Sequence, residues 1–475
     1  MKVLFLQPIV AAEKLWGKYA VEGGKIPPIG ILSIAAYLEN KGHQVKIIDC
    51  LVENYGAKEL ESFLRQNIFD VIGISAFTNT IADTYHTVEI CKAVAPGVKI
   101  VVGGVHATIL PKRTMEECKE IDFLVQGEGE MIMDELLQYL ETGVPSIHDI
   151  GGLSYRNDGG EIKINERRAL ILNLDELPMP AYHLLDVSKY MPHPTQYKSL
   201  PSFPVIFQRG CPFQCSFCGA SSVHGRMVRH KSVAYLIREI EILIKNYGAR
   251  GIHFQDSTFT INKEYVKQFC EEILKLGLKF DWDINSRVDC LDEDLLRLMK
   301  KAGLWMINFG LESGNQESLD LLNKKTNLAQ IRNAIEITRA AGIVTFSTWI
   351  LGIPGEDEKM VRSTIGFAKE IGTEMALFFL PVPYPGTELV NICRRIGGLR
   401  EDAKWEDYSS VDFAHPVYVN PFLGKEKMQF FLKEAFLSYY LSPKIWWRNI
   451  KVIHSFEDIK RYWRGFRAFA NGWLK

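Results

Sequence analysis

The chain has 475 residues, a formal charge of −1, 47% hydrophobic residues and 24% charged residues. The length suits about three domains, and the charge balance excludes a global basic field that would attract nucleic acid. No run approaches the roughly 20 apolar residues of a membrane span, and the apolar run after Met1 is too short for a secretory signal, so we expect a cytoplasmic protein with reduced cysteines.

The first third of the chain, residues 1–145, alternates apolar strands with helical patterns. Strands are predicted at 2–6, 45–49, 70–75, 98–103 and 122–125, and helices at 29–40, 57–66, 83–95 and 131–141. Buried strands separated by helices predict a parallel sheet in a doubly wound, Rossmann-like α/β domain, whose ligands bind beyond the carboxyl ends of the strands.

Small residues follow three of these strands, at 75–79 (SAFTN), 103–108 (GGVHAT) and 126–130 (QGEGE). They would let a large ligand approach the backbone, although tight turns of any doubly wound fold would also explain them. The fingerprint G-x-G-x-x-G does not follow the first strand, which disfavours NAD or FAD.

Together with residues 26–30 (IPPIG) and 38–45 (LENKGHQV), these stretches resemble the cobalamin (B12)-binding domain that precedes many radical S-adenosylmethionine (SAM) enzymes. The resemblance implies a cobalamin site at Ser75, Thr78, Gly103, Gly104, His106, Gly127 and Glu128. The motif D-x-H-x-x-G is absent, so the lower axial ligand of cobalt is left open, as water or nothing. We interpret His106 as a hydrogen-bonding loop residue rather than a ligand.

Residues 146–200 are predicted to be a hairpin and a linker. Alternating runs at 153–156 and 162–164 flank the turn 157–160 (NDGG), a strong hairpin signal. The following stretch lacks periodicity and contains Pro178 and Pro180. A linker of this length would let the ligand of the first domain face the second domain.

In residues 201–395 the alternation of strands and helices resumes. Strands are predicted at 204–208, 252–256, 281–285, 306–310, 345–351 and 375–380, and helices at 232–246, 263–275, 293–302, 328–341 and 358–371. Six βα units predict a (βα)6 partial TIM barrel, with its active residues at the carboxyl ends of the strands.

Three cysteines, Cys211, Cys215 and Cys218, follow the first of these strands at a C-x3-C-x2-C spacing. Three thiolates on one loop predict a metal centre, and an iron–sulfur cluster held by only three cysteines leaves one iron open. A zinc site is an alternative, but the second cysteine pair that it favours is missing. We interpret the other cysteines as inert buried thiols: Cys50, Cys91, Cys118, Cys270, Cys290 and Cys393.

The cysteine loop resembles that of the radical SAM superfamily. The resemblance implies a [4Fe-4S] cluster bound by the three cysteines, with SAM at the open iron and cleavage to a 5′-deoxyadenosyl radical. The polar residues at the strand ends, with Phe217, would then contact SAM: Phe217, Gln255, Asp256, Arg287, Glu312, Ser313, Lys324 and Gly352. Helix capping would explain any one of these polar ends, but it explains the whole set poorly.

The two resemblances together cover residues 1 to about 390 and imply a cobalamin-dependent radical SAM enzyme of the class B methylase-like or oxidative-cyclase-like kind. We expect methylation of an unactivated carbon in a small-molecule or lipid substrate. Rearrangement, ring contraction or oxidative cyclisation with the same cofactors is the alternative.

A methylthiotransferase is disfavoured because Cys50, Cys91 and Cys118 do not cluster in the sequence, and a non-catalytic iron–sulfur carrier or sensor is left open. We further expect a monomer that takes electrons from a flavodoxin- or ferredoxin-like one-electron reductant and binds no nucleic acid.

The C-terminal region, residues 396–475, is predicted to be helical. From residue 441 onwards, eight basic residues and several tryptophans interleave, against only Glu457 and Asp458. Basic amphipathic helices with tryptophan bind membrane interfaces, so one interpretation is peripheral membrane contact. The other is a helical cap packed on the barrel, with its basic residues in solvent.

Overall fold

The first domain contains the doubly wound sheet that the sequence predicts. The computed structural model describes residues 1–17, 20, 23–411 and 413–474, so Lys475 at the end of the predicted tail lies outside it. The strands are β1 Lys2–Gln7, β2 Gln44–Asp49, β3 Val71–Ser75, β4 Lys99–Gly103, β5 Phe123–Val125, β6 Leu153–Arg156 and β7 Ile162–Ile164. The helices are α1 Ala12–Trp16, α2 Ile29–Asn40, α3 Cys50–Glu53, α4 Ala57–Gln66, α5 Ile81–Val94, α6 Val105–Ile109, α7 Pro111–Glu117 and α8 Gly129–Thr142.

The sheet order is β2-β1-β3-β4-β5-β6-β7, and the first five strands are parallel. The predicted hairpin forms as β6 and β7, but it is not part of a linker. It pairs antiparallel with β5 and extends the sheet of the first domain, because Leu153 and Tyr155 are buried against that domain's core.

The second domain is built on an open sheet of six parallel strands, in the order β15-β14-β13-β12-β11-β8. The strands of this sheet are β8 Ser202–Val205, β11 Gly251–Phe254, β12 Asp281–Ser286, β13 Leu304–Glu312, β14 Val344–Ile350 and β15 Met375–Phe379. Two short strands of the domain lie outside it, β9 Gln208–Arg209 and β10 Arg229–His230. The helices are α9 Ser221–His224, α10 Val233–Tyr247, α11 Lys263–Leu276, α12 Glu293–Lys301, α13 Gln316–Leu321, α14 Leu328–Ala340, α15 Glu358–Ile371 and α16 Glu388–Ile396. This arrangement confirms the predicted partial barrel.

The strand predicted at 204–208 is divided in two. β8 belongs to the barrel, whereas β9 leaves it and pairs antiparallel with β10. The chain can depart from the sheet because the Asp256 carboxylate accepts the backbone N–H groups of Phe207 and Gln208, at 3.3 and 2.6 Å. β9 and β10 thus form the two legs of the cysteine loop.

The C-terminal region packs on the barrel through α17 Gly424–Tyr440, α18 Pro443–Lys451, α19 Phe456–Phe469 and a last turn, Ala470–Leu474. Phe436 of α17 meets Phe378 of β15 with ring centroids 5.3 Å apart. None of the helices in the described part of the chain combines the length and apolarity needed to cross a bilayer.

A buried ion network joins the two domains. The Glu128 carboxylate accepts from Arg229 at 2.8 and 3.0 Å, from Arg209 at 3.3 Å and from the backbone N–H of Ile171 at 3.0 Å. Its Oε1 also lies 3.0 Å from Nδ1 of His224. Because Arg209 and Arg229 lie on β9 and β10, one carboxylate of the first domain holds both legs of the cysteine loop.

This network depends on the charge of Glu128. Burial alone would raise the pKa of Glu128, but the bonds from His224 and Arg229 and the charge of Arg209 outweigh it and hold the pKa well below its ordinary value of 4.5. A carboxyl group with a lowered pKa stabilises the folded state above its unfolded pKa, and this stabilisation is lost as the pH falls towards the folded-state pKa.

We predict that Glu128→Gln lowers the free energy of unfolding at neutral pH by about 3–5 kcal/mol, because the buried guanidinium of Arg229 loses its carboxylate partner and that of Arg209 keeps only Glu130. The loss should shrink as the pH falls below about 4.5, since this carboxyl group then binds a proton in the unfolded wild type but not in the folded protein, which lowers the stability of the wild type. Urea unfolding between neutral and acid pH measures both effects. Glu293→Gln, which removes an exposed partner of Arg297, is the control and should leave the midpoint unchanged. Equal stability of E128Q and the wild type at neutral pH would contradict the interpretation.

Candidate active site

The cysteine loop has a backbone that only glycine can begin. Gly210 has φ of +97°, and a Cβ atom there would lie 2.0 Å from the carbonyl oxygen of Met227. The far side of the loop is attached to the barrel: Ser216 N–H donates to the carbonyl of Leu322 at 2.9 Å, and Ser216 O accepts from Leu389 N–H at 2.7 Å. The loop is therefore fixed at its start and in its middle.

The three thiols of the loop are free, with Cys211 and Cys215 half-buried and Cys218 exposed. Partial burial raises the pKa of Cys215, while the charges of Lys324 and Arg287 act to lower it. Arg287 Nη1 lies 3.8 Å from the Cys215 sulfur, so a cation is in place to stabilise the thiolate. The pKa of Cys218 is also raised, chiefly because surrounding protein atoms displace water, although its side chain reaches open space.

The donor set fits a [4Fe-4S] cluster better than a single ion. Within residues 1–17, 20, 23–411 and 413–474, no three His, Cys, Asp or Glu side chains are close enough to hold one metal ion, which disfavours the zinc alternative. A cluster binds each cysteine through a different iron, so its sulfur ligands stand apart. Three thiols on a fixed loop, with the Arg287 guanidinium 3.8 Å from the Cys215 sulfur, fit such a cluster.

Arg287 connects the cysteine loop to the segment that carries Lys324. Its guanidinium donates to the Lys324 carbonyl at 2.7 Å and to both carboxylate oxygens of Asp289 at 2.9 Å. It also stacks on Phe213, 3.8 Å from the ring centroid. Burial alone would lower the pKa of Arg287, but Asp289 raises it, so the group stays charged. Direct contact of Arg287 with SAM remains a prediction. The guanidinium lies between the cysteine loop and the barrel.

Lys324 and Glu312 form a buried ion pair at 2.8 Å beside the cysteine loop. Lys324 Nζ lies 5.8 Å from the centroid of the Phe217 ring, so three of the residues predicted to bind SAM are brought together. Glu312 has φ of 64°, which is rare for a residue other than glycine and is found most often at functional sites. A lysine and a glutamate side by side can pair with the carboxylate and the ammonium group of an amino acid.

Two of the side chains predicted to contact SAM form hydrogen bonds within the protein instead. The Asp256 carboxylate bonds to backbone N–H groups, as described above, and burial raises its pKa to about 7. The Ser313 hydroxyl bonds to Thr364 at 3.0 Å and accepts the N–H of Asn315. Both side chains therefore position the strand ends, whereas Gln255 is half-buried beside β11, with only its backbone N–H in a described hydrogen bond.

Gly352 lies on a turn that is organised by Glu356. The N–H groups of Gly352 and Ile353 donate to the Glu356 carboxylate at 2.9 and 3.0 Å. Burial raises the pKa of Glu356 to about 7. Gly352 has φ of +79°, a left-handed conformation that favours glycine. The carbonyls of Gly352 and Ile353 accept from the Asn420 amide at 3.4 and 2.9 Å, so the backbone of this turn is bonded within the protein, and the predicted contact with SAM remains a prediction.

Glycines shape the predicted cobalamin edge of the first domain. Gly104 has φ of +98°, and a Cβ atom there would lie 2.7 Å from the Ala76 carbonyl and 3.3 Å from the Ser75 hydroxyl. A Cβ atom on Gly103 would meet nothing closer than Val125 at 3.8 Å. Gly127, with φ of +86°, donates its N–H to the Thr108 hydroxyl at 2.9 Å. The small residues at these strand ends would let a large ligand approach the backbone, and their contact with cobalamin remains a prediction.

His106 has a hydrogen-bonding role, as the sequence analysis favoured. Its side chain is 1% exposed, its Nδ1 lies 3.2 Å from the Thr78 hydroxyl, and burial lowers its pKa to about 4. The indole of Trp405 packs edge-on against it, with ring centroids 4.7 Å apart. The imidazole is therefore neutral and enclosed.

Glu128 does not present its carboxylate to the cobalamin edge, which corrects the expectation for this residue. Both oxygens are used by Arg209, Arg229 and His224. Any contact of this residue with cobalamin would therefore be made by its backbone.

The two predicted ligand edges, the cobalamin edge of the first domain and the cysteine loop of the second, contact each other. α6, which follows the glycines of β4, packs against α9 of the cysteine loop. Arg167 bridges them, donating to the Thr108 carbonyl and to the Ser222 carbonyl at 2.8 Å each. Gly127 lies opposite Val223, since a Cβ atom there would be 3.7 Å from the Val223 carbonyl. A ligand on the first domain would thus lie beside a cluster on the second.

Comparison with known proteins agrees with this two-part site. The family described as B12 binding domain matches residues 19–137, and the Radical SAM superfamily matches residues 205–368. An uncharacterised methyltransferase of Pyrococcus horikoshii is 34% identical over 98% of both chains. The anaerobic magnesium-protoporphyrin IX monomethyl ester cyclase of Rubrivivax gelatinosus is 29% identical over 92% of this chain and 79% of its own length.

The fold also resembles that of a solved structure, the radical SAM methyltransferase TsrM from Kitasatospora setae with cobalamin and a [4Fe-4S] cluster bound. The TM-score is 0.72 at 16% identity, covering 99% of this chain and 98% of that one. The chain therefore belongs to the cobalamin-dependent radical SAM enzymes, whose cofactors are a [4Fe-4S] cluster, SAM and cobalamin.

Sequence reasoning missed several residues of the site. Arg209 and Arg229 bind Glu128, and Trp405 reaches back to the first domain, where its indole N–H donates to Glu117 at 2.7 Å. Arg209 lies in the stretch QRGC, so its closeness to the cysteines was a usable signal. Nothing local distinguishes Trp405, because its partners lie almost 300 positions earlier.

We predict that Gly210→Ala destabilises the protein by about 3 kcal/mol and prevents cluster assembly, because the methyl group meets a backbone carbonyl and φ is left-handed. Gly219→Ala in the same loop is the matched control, since a Cβ atom there meets nothing within 4 Å. Iron and sulfide content after anaerobic reconstitution, together with thermal unfolding, measures the effect. Equal cluster content in the two variants would show that the loop tolerates a side chain at 210.

We predict that Arg287→Gln slows alkylation of Cys215 by iodoacetamide at neutral pH, because the variant loses a cation that favours the thiolate. SAM cleavage should fall by about tenfold or more, since the cysteine loop and the Lys324 segment lose their connection. Arg297→Gln, on the exposed face of α12, is the control. An unchanged pH profile of Cys215 alkylation in R287Q would contradict the electrostatic role.

Proposed function

We propose that this enzyme transfers a methyl group to an unactivated carbon of a small-molecule or lipid substrate. The observation that carries the proposal is the contact between the two ligand edges, α6 of the first domain and α9 of the cysteine loop. A methyl donor on one edge and a radical source on the other would share one reaction space. The 34% identity to an uncharacterised methyltransferase along nearly the whole chain supports this choice of reaction.

When bound, the cluster supplies the electron that cleaves SAM, and cobalamin supplies the methyl group. The protein's own residues hold and orient the reactants. Lys324 and Glu312 would pair with the carboxylate and the amino group of the methionine part, and the Gly352 turn would receive the adenine. Arg287 keeps the loop that carries Cys215 against this site. The bonds of Ser216 to the barrel would help to limit the access of water, which protects a reactive radical.

Oxidative cyclisation or another rearrangement with the same cofactors is the second candidate. It is favoured by the 29% identity to the Rubrivivax gelatinosus cyclase over 92% of this chain. The residues that would bind the cofactors serve both reactions, so the two candidates differ only in the fate of the methyl group.

The reaction also requires a source of single electrons. A flavodoxin- or ferredoxin-like protein would deliver single electrons to the cluster, and the enzyme would act as a monomer without nucleic acid. All nine cysteines are free thiols, which suits a reducing cytoplasm. We also propose peripheral membrane contact through the C-terminal helices, whose exposed aromatic residues support it.

We predict that Cys215→Ser lowers the formation of 5′-deoxyadenosine from SAM by about a hundredfold or more, because the cluster loses a ligand. The assay uses the reconstituted enzyme under anaerobic reducing conditions. Cys290→Ser is the control, since this half-buried cysteine lies outside the loop. Formation of 5′-deoxyadenosine at the wild-type rate by C215S would contradict the assignment of the cysteines.

A second measurement in the same assay separates methyl transfer from cyclisation. SAM labelled in its methyl group is supplied with lipid and polar metabolite extracts of the source organism. Methyl transfer predicts label in a product other than methionine derivatives. A product that forms with 5′-deoxyadenosine but without label would support the second candidate and refute methyl transfer.

A further inference from the structure

The barrel contains a cavity of about 950 Å³ that the cofactor sites do not account for. Its walls come from residues of the strands that face into the barrel, from Trp16 of the first domain and from the C-terminal helices α17 to α19. Ligand cavities generally measure about 300–1,000 Å³. This one is therefore large enough for a substrate with an extended or polycyclic body.

The inner end of the cavity lies directly below the predicted SAM site. Thr348 lines the cavity and is in register with Gly310 of the neighbouring strand. A Cβ atom on Gly310 would lie 2.4 Å from Oε1 of Glu312 and 3.1 Å from Nζ of Lys324. The ion pair that would bind the methionine part thus lies over the top of the cavity, and a molecule inside it could present a carbon to the radical.

The outer end of the cavity lies at the amino ends of the barrel strands. There α18 is fixed to the carboxyl end of α15, because Lys444 donates to the Glu370 carbonyl and Arg448 to the Ile371 carbonyl, at 2.8 and 2.7 Å. The guanidinium of Arg461 in α19 lies 4.6 Å from the ring of Trp305, near the start of β13. The helices therefore cap the barrel, as one of the two sequence interpretations predicted.

The cap is lined with apolar side chains that are also exposed. Six residues of α18, α19 and the preceding turn both border the cavity and face outwards, and we call them the rim: Leu441, Trp446, Ile450, Ile459, Trp463 and Phe466. A contiguous exposed apolar patch of this kind usually marks a site of interaction. Because the rim surrounds the outer end of the cavity, whatever covers it also controls access to the cavity.

The exposed basic residues around the rim favour an anionic lipid surface as its occupant. Lys444, Lys451, Lys460 and Arg467 are exposed around it. The two acidic residues of this region are both engaged, Glu457 with Arg250 at 2.9 Å and Asp458 with Arg461 at 2.9 Å. Tryptophans among exposed cations are typical of helices that lie in the headgroup region of anionic membranes.

The inner wall is not purely apolar. In register across the strands lie His253 and Asp283, which are hydrogen-bonded at 2.5 Å, and then Asn285 and Asn308, at 2.8 Å. Met375 and Leu377 form part of the opposite wall. A ligand with an apolar body and a few hydrogen-bonding groups matches both walls.

We infer that the cavity is the substrate site and that it is filled from a membrane: the rim docks on an anionic lipid surface, and a membrane-dissolved lipid with an extended or polycyclic apolar body passes between α18 and α19 into the barrel. This inference rests on the proposed function and names the class of its substrate.

The docking step is tested by flotation of the full-length reconstituted enzyme with phosphatidylcholine vesicles that contain or lack phosphatidylglycerol. We expect binding to the anionic vesicles that decreases at high salt, and a loss of about tenfold in Trp446→Ala/Trp463→Ala. Ile68→Ala/Leu274→Ala removes exposed apolar side chains elsewhere and is the matched control. Equal flotation of the rim variant and the wild type overturns the inference, and so does a wild-type dimer that the rim substitutions dissociate.

The cavity step is tested with cis-parinaric acid, a fluorescent polyene fatty acid. Leu377→Trp fills the space beside Thr348. Met375→Trp fills the cavity nearer its outer end and is a second, independent variant that keeps the test valid if the first does not fold. We expect saturable fluorescence with the wild type and a loss of about tenfold in affinity in both variants, while vesicle flotation persists. Probe binding that neither substitution changes, or that the wild type lacks, overturns the inference.

SAM cleavage in the absence of substrate separates this inference from the proposed function. It reports on the cluster and SAM sites and needs no lipid. Failure of lipid binding with intact cleavage refutes the membrane-fed cavity alone, whereas failure of cleavage in the reconstituted wild type refutes the proposed function.

Discussion

The arrangement of both cofactor edges depends on one buried carboxylate. Glu128 lies at the end of the first domain's fifth strand and binds Arg209 and Arg229, one on each leg of the cysteine loop. Glu130, two residues later, adds a bond to Arg209 at 2.5 Å. Such a network costs desolvation energy and is favourable only when every charge is paired, so it allows one relative position of the domains. That position brings α6 against α9.

Paired charges also organise the second domain, where they hold the cysteine loop to the barrel and lie beside the predicted cluster and SAM sites. Arg287 neutralises Asp289, holds the Lys324 segment and lies beside the Cys215 sulfur. Lys324 in turn pairs with Glu312. Each cation therefore has a partner within the fold and can also face an anionic cluster or a SAM carboxylate. Electrostatic preorganisation of this kind is effective because the surrounding protein keeps water out.

An open barrel of six strands leaves a lumen that needs a cover, and the C-terminal helices provide it from below. Their attachment combines apolar contacts, such as Phe436 against Phe378, with hydrogen bonds from Arg448 and Asn449 to residues 371–374 before β15. They also expose apolar side chains, whereas an ordinary surface helix hides its apolar face. The cofactor edge and the apolar rim consequently lie at opposite ends of one cavity.

The sequence by itself determined the order of the two domains, the five parallel strands of the first sheet and the cysteine centre. These features are encoded locally, in the alternation of apolar strands and helices and in the spacing of Cys211, Cys215 and Cys218. Tertiary structure alone decided that the hairpin joins the first sheet, that β9 leaves the barrel, and that Glu128 binds arginines 81 and 101 positions away instead of offering its carboxylate to cobalamin. It also decided that Asp256 and Ser313 hold strand ends and that the tail both caps the barrel and exposes tryptophans. The reason is physical: a side chain's role depends on which charges and surfaces lie opposite it, and residues distant in sequence supply those.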